Sequence, residues 1–402
     1  RVRMRRLLVP FLVALMASGA ATALAQESVK VGVITSLTGR FAEFGEQHQA
    51  GIQAALEDVN AAGGVNGVPL EVVYEDDTSE VNAALTAAET LVNQNLPLVM
   101  GAYSSSITNP LAQYFTRQQR PFLVFTSGDD AITRPGSDWV FRLNQPSYAY
   151  ADVLFGVFDA LNEQHGDGYL RTIVTIHGNG AFEVSVADAV DEIAAQRGYT
   201  VLQRQDYDQS GADFRPILNR FKSLNPDVVF MVSYAADSVA LMRQIAEVGL
   251  DAKVFAGGAA GFALPNFIEG SGPAADYVYT ATMWTKDVPY PGAQELDDRL
   301  QAILGRTPSY HAAQAYAAII TAADVLSRAA SFSPADVREA LLATDMPDTV
   351  YGPISFSDYA GYRNQASLPA VAEQVVNGEF VTVYVNGEVV NEMLDTPAWT
   401  ER

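Results

Sequence analysis

The 402-residue chain has no cysteine, four histidines, and only 25 Lys and Arg against 47 Asp and Glu. Without cysteine there are no disulfides and no thiolate metal sites, so the fold must rest on its core alone. The histidines, at 48, 165, 177 and 311, are scattered without metal-ligand spacing, and no metal is expected. A net charge of −22 repels nucleic acid and anionic lipid, although a local site can oppose the global field. The Gly-x-Ser-x-Gly elbow and the Gly-Lys-Ser/Thr phosphate loop are both missing. Gly178-Asn179-Gly180 opens like a dinucleotide fingerprint, but Glu183 stands where the third glycine belongs. His177 beside it reads as a loop histidine. No catalytic residue and no cofactor are assigned.

Long apolar runs are equally scarce. Residues 7–17 form one, too short to span a bilayer comfortably, behind a basic start of Arg1, Arg3, Arg5 and Arg6. Ala23-Leu24-Ala25 follows as a cleavage signal, so a secretory peptide removed after Ala25 is expected. No cysteine follows it to carry a lipid anchor. Residues 312–326 look apolar but are interrupted by Gln314, Thr321 and Asp324, and no second membrane segment is expected. Removing residues 1–25 leaves 377, enough for two domains, and takes the net charge to −26. The expected product is a soluble, exported protein of the Gram-negative periplasm.

What the chain does contain is alternation. Short apolar runs at 29–34, 70–74, 96–100, 122–125, 172–176, 199–202, 228–232, 254–256 and 277–280 read as strands. Several are apolar on both faces, as parallel strands covered by helices should be. Between them Phe44, Ile52, Leu56 and Val59 recur at helical spacing, as do Val239, Met242, Ile245 and Val248. Gly63-Gly64 ends a helix, and Asn66-Gly67 turns the chain into the next strand. Asn377-Gly378 separates two β-rich runs as a hairpin, and Asn386-Gly387 marks another turn. The fold class is α/β, with two doubly wound parallel-sheet lobes.

In such sheets ligands sit beyond the carboxyl ends of strands. The loop at 35–45 offers hydroxyls, Arg40 and two phenylalanines. Tyr103-Ser104-Ser105-Ser106 brings hydroxyls and free N–H groups to a helix start, a natural place for a carboxylate. Thr126-Ser127-Gly128-Asp129 repeats that logic at the next strand end. Each run can also serve as a plain helix cap, yet two at successive strand ends favour one shared site.

Ser36-Leu37-Thr38-Gly39, Phe44-Gly45, the Asn60–Gly67 run Asn-Ala-Ala-Gly-Gly-Val-Asn-Gly, and Glu75-Asp76-Asp77 carry a family resemblance. The chain resembles the type I periplasmic substrate-binding proteins of branched-chain amino acid (leucine/isoleucine/valine) ABC importers, from 29 to about 387. The resemblance implies two lobes joined by a three-strand hinge, with crossovers near 144, 281 and 357. Lobe 1 would then hold 26–144 plus 281–356, and lobe 2 would hold 145–280 plus 357–402.

It further implies a carboxylate-binding hydroxyl at Ser105, with Ser104 or Ser106 as neighbours, and Tyr103, Thr126 and Ser127 join the candidate ligand contacts. Aromatic contacts would fall on Phe44, Phe182 and Tyr234. The acid that meets a ligand ammonium has no counterpart in the segment around Ala259, Ala-Gly-Gly-Ala-Ala-Gly at 256–261, and position 128 is glycine rather than a hydroxyl. A buried ammonium without an anion is costly. Unless Asp129 or another acid serves, an organic or aromatic acid or an amide gains ground over an amino acid. The implied partners are a small-molecule ligand and an ABC permease, the protein acting as a monomer. An extracytoplasmic sensor using the same cleft is the alternative, and a hydrolase a remote one.

Overall fold

The computed structural model describes residues 28–134, 136–209 and 213–402, so the signal-like segment with its cleavage point lies outside the described residues. The chain opens with β1 (Val29–Thr35), α1 (Ala42–Ala61), β2 (Leu70–Asp76), α2 (Val81–Asn93) and β3 (Val99–Gly101). It continues through α3 (Ser105–Gln118), β4 (Phe122–Val124), β5 (Val140–Arg142), α4 (Ser147–His165) and β6 (Thr172–Gly178). Then come α5 (Ala181–Arg197), β7 (Thr200–Tyr207), α6 (Arg215–Leu224), β8 (Val228–Val232), α7 (Ala235–Val248) and β9 (Val254–Gly257). Next are α8 (Pro265–Ser271), β10 (Tyr279–Thr282), α9 (Ala293–Leu304), α10 (Tyr310–Arg328) and α11 (Pro334–Leu342). The rest is strand: β11 (Asp345–Thr349), β12 (Gly352–Ser355), β13 (Ser357–Tyr359), β14 (Tyr362–Gln365), β15 (Val371–Val376), β16 (Glu379–Val385) and β17 (Glu388–Val389).

These strands form two large sheets, one per lobe. The first runs β13-β14-β5-β4-β3-β1-β2 and the second β17-β16-β15-β10-β9-β8-β6-β7. Pairing is parallel through each centre and antiparallel at one edge. The central strands are apolar for a simple reason: β8 is buried along its whole length, with helices on both faces. Asn377-Gly378 turns β15 into β16 with both residues at positive φ, the backbone a tight hairpin requires. Asn386-Gly387 does the same between β16 and β17.

One boundary moves. The hairpin β13–β14 pairs with β5 in the first sheet, so the last crossover falls after Gln365 rather than near Ser357. Residues 357–365 therefore belong with the first lobe. The reason is local: Gly352-Pro353-Ile354-Ser355 is used in a separate β11–β12 ribbon. The polar strands that follow carry no apolar alternation to announce them. Likewise β5 is a first-sheet strand, where the sequence suggests only a linking segment.

The ends of the crossovers are braced on the first-lobe side by buried amides. Gln314 Nε2 donates to Asn144 Oδ1 at 2.6 Å, and Gln365 Nε2 donates to the Asn144 carbonyl at 2.7 Å. Helix α10 belongs with the first lobe because it lies against α1. Gly51 permits this: a Cβ there would sit 1.9 Å from the Ala312 carbonyl oxygen.

Candidate ligand-binding site

The carboxyl ends of β3 and β4 face those of β6 and β8 across a cleft between the lobes. The first lobe contributes Tyr103, Ser105, Thr126, Ser127 and Gly128, and the start of α10 adds Tyr310 and His311. The second lobe contributes Tyr150, Phe182, Tyr234 and Ala260. These side chains leave about 20 Å³ between them, little more than one water molecule needs. A ligand of amino-acid size can enter only if the walls part.

The first-lobe hydroxyls are braced. Ser105 Oγ accepts from the Asp129 N–H at 3.2 Å. Ser127 Oγ reaches the carbonyls of Ala102 and Tyr103 at 2.9 and 2.7 Å, so it supports the loop. Thr126 Oγ1 meets His48 Nε2 at 3.0 Å, while His48 Nδ1 meets Thr35 Oγ1 at 2.8 Å. Complete burial pushes the His48 imidazole down to about 3, so it stays neutral. His311 is held well below the ordinary range by burial and by the neighbouring His48, and its Nδ1 lies 3.0 Å from Ser309 Oγ.

The rings form a continuous chain of contacts through the cleft. Phe44 lies face to face on Tyr103 with centroids 3.8 Å apart. Tyr103 approaches Tyr234 at 5.8 Å, and Tyr234 approaches Phe182 at 6.4 Å. Tyr150 meets Phe182 edge-on at 5.3 Å. Gly128 has a steric role here: a Cβ would come within 3.1 and 3.2 Å of the Phe182 and Tyr150 rings. A hydroxyl residue at 128 would push the rings away. Tyr103 also carries a buried hydroxyl with no hydrogen-bond partner.

Of the residues expected from sequence, Tyr103, Ser105, Thr126, Ser127, Phe182 and Tyr234 line the space. Phe44 stands one layer behind Tyr103, which takes the wall position instead. Ser104 is buried and stands outside the lining. Ala259 is fully buried at positive φ, and its neighbour Ala260 reaches the surface of the cavity. Tyr150, Tyr310 and His311 were missed. Tyr310-His311 carried a usable signal: an aromatic and an imidazole opening an otherwise small-residue helix, straight after Pro308-Ser309.

Among the described residues, no carboxylate lines the space. Asp129 is buried: Oδ2 accepts from Asn109 at 2.6 Å and Oδ1 caps Ala131 N–H at 3.0 Å. Glu183 is buried outside the lining, where desolvation pushes its carboxyl up to about 7. A separate groove of about 350 Å³ behind Tyr310 holds Asp287, Asp297 and Glu373. That acidity repels anions. His177 Nε2 accepts from Arg204 Nε at 3.0 Å, a structural contact. Among the described residues no cluster of His, Asp and Glu could hold a metal ion, and no helix is long and apolar enough to cross a membrane.

A periplasmic binding protein family model matches residues 28–379. A Leu/Ile/Val-binding protein homolog 7 of Brucella suis biovar 1 is 26% identical over 400 residues, covering 97% of this chain and 99% of that protein. The substrate-binding protein of a branched-chain amino acid transporter from Streptococcus pneumoniae, solved with isoleucine, superposes with a TM-score of 0.77 at 21% identity. That match covers 89% of this chain and 99% of the other. A solute-binding protein of an ABC transporter from Rhodopseudomonas palustris, solved with 3,4-dihydroxybenzoic acid, gives 0.75 at 22%, covering 90% and 98%.

Proposed function

From its membership of the type I periplasmic binding proteins of the branched-chain amino acid family, we propose that the chain is the ligand-capturing subunit of an ABC importer. It takes a small carboxylate with an apolar or aromatic body and no ammonium group. The observation that carries the ligand class is the lining itself: hydroxyls at one end, rings over the rest, and no carboxylate. Ser105 and the unpartnered Tyr103 hydroxyl would donate to the carboxylate, while Phe182, Tyr234 and Tyr150 would enclose the body. An ammonium placed there would be buried without a counter-charge, at a cost of several kcal/mol. Organic acids are within reach of the fold, since the Rhodopseudomonas neighbour holds one and the Streptococcus neighbour an amino acid.

Capture proceeds by closure of the lobes about their crossovers, and the loaded monomer docks on a permease in the inner membrane. The protein does not turn its ligand over. A thermal-shift screen of leucine, isoleucine, benzoate, 3,4-dihydroxybenzoate and 4-methylpentanoate tests the ligand class. Stabilisation by the acids alone supports it, and stabilisation by the amino acids alone overturns it.

A further inference from the structure

At the mouth of the cleft, Arg40 of the first lobe reaches across to the second. Its Nη1 donates to Gln209 Oε1 at 2.8 Å, and the Gln209 amide donates in turn to Glu183. The guanidinium is steadied 4.5 Å above the Phe41 ring, and Phe41 itself meets Tyr234 of the second lobe edge-on at 4.8 Å. Nearby, the Ala181 N–H donates to Ser106 Oγ and the Asp130 N–H to Ser185 Oγ, each at 3.2 Å. The start of α5 is therefore the part of the second lobe on which the first lobe lands.

Gly178 and Gly180 make room for this relay. A Cβ on either would come within 2.6 or 2.5 Å of the Glu183 carboxylate, and one on Gly180 within 2.6 Å of Gln209 Nε2. The glycine pair thus cradles the chain's own carboxylate at the helix start. Glu183 is 1% exposed, and its Oε2 has no hydrogen-bond partner. The groups around it are Arg40 and Tyr103 from the first lobe, with Asp237, Tyr207 and Tyr234 from the second.

We propose that Arg40, Gln209 and Glu183 form a proton-sensitive clasp that holds the lobes together and sets how long a captured ligand stays. The clasp rests on the ligand-capture reading, but none of its three residues lines the cavity, so they act as positioning residues. Burial pushes the Glu183 carboxyl up to about 7 and that of Asp237 to about 6. Opening admits water to both and returns them toward the ordinary carboxylate range near 4. The closed form therefore binds protons more readily than the open one. Closure weakens as pH rises from about 4.5 to about 7, and is level above that.

The absence of native cysteine makes the test clean. Dyes on Glu89→Cys in α2 and Lys222→Cys in α6, both exposed, report the interlobe distance by single-molecule energy transfer without ligand. Arg40→Ala is expected to shift the population toward the open distance. Glu183→Gln keeps an acceptor for Gln209 and is expected to flatten most of the pH dependence between 5 and 7. With 3,4-dihydroxybenzoate as probe, Arg40→Ala should raise koff roughly threefold to tenfold and leave kon unchanged. An Arg40→Ala distance distribution identical to the parent's, at every pH, overturns the clasp. If the distribution shifts while no acid of the panel binds, the clasp stands and the ligand class falls.

Discussion

The first lobe meets the cleft with hydroxyls braced by buried imidazoles, whereas the second meets it with rings backed by buried carboxyls. Ser105, Thr126 and Ser127 are fixed by hydrogen bonds to Asp129 N–H, His48 and two carbonyls. Phe182 and Tyr234 are held by ring contacts, and Tyr150 by its edge-on contact with Phe182 and by hydrogen bonds to the Asn144 amide at 2.8 and 3.1 Å. One wall is thus braced mainly by hydrogen bonds and the other mainly by ring packing. Their proton responses are opposite: burial lowers the imidazoles of the first wall and raises the carboxyls of the second.

The largest expected effect tests that opposition. His48 is neutral in the folded state but takes a proton near 6.5 when unfolded, so folding stability is present above that pH and drains as pH falls toward 3. Between pH 7 and pH 4 urea unfolding should show a loss of about 3 kcal/mol from this group. His48→Gln should be less stable at pH 7 but show a visibly shallower acid slope. An unchanged slope would remove His48 from the account.

Next in size is Tyr234→Ala, which takes a ring from the second wall. Titration calorimetry should show ligand affinity weakened by about 2–4 kcal/mol. Ser105→Ala strikes the hydroxyl wall and should cost a carboxylate ligand ~1–3 kcal/mol while leaving a neutral amide analogue less affected. Equal losses for both ligands would mean that the carboxylate docks elsewhere. The smallest effect separates wall from support: Phe44→Leu should lower the melting temperature through ~1 kcal/mol of lost packing, with affinity held within ~0.5 kcal/mol.

Much of the fold was legible because it is written in burial. Strands covered on both faces, such as β8, must be apolar throughout, and the turns at Asn66-Gly67 and Asn377-Gly378 require residues that tolerate positive φ. The hairpin β13–β14 was illegible because its edge strands are short and polar, leaving only pairing with β5 to define them. At the site, the hydroxyl runs were visible because they sit at strand ends. Phe44 stands behind Tyr103 rather than at the surface of the space, because an aromatic in that loop can stack behind a wall as well as form it. Tyr150 and Tyr310 reach the cleft from helices distant in sequence, and only the packing of α10 on α1 and of α4 on the second lobe brings them there. The crossing from Arg40 to Gln209 joins residues 169 positions apart, and no local pattern encodes it.

The central claim is that the cleft accepts a carboxylate and rejects an ammonium. Leucine and 4-methylpentanoate share the same carboxylate and body and differ only in that group, as do phenylalanine and 3-phenylpropionate. Titration calorimetry of the four at pH 7 isolates it. The account predicts that within each pair the acid lacking the amine binds tighter, by about a hundredfold or more. Tighter binding of leucine and phenylalanine than of their amine-free partners would contradict it.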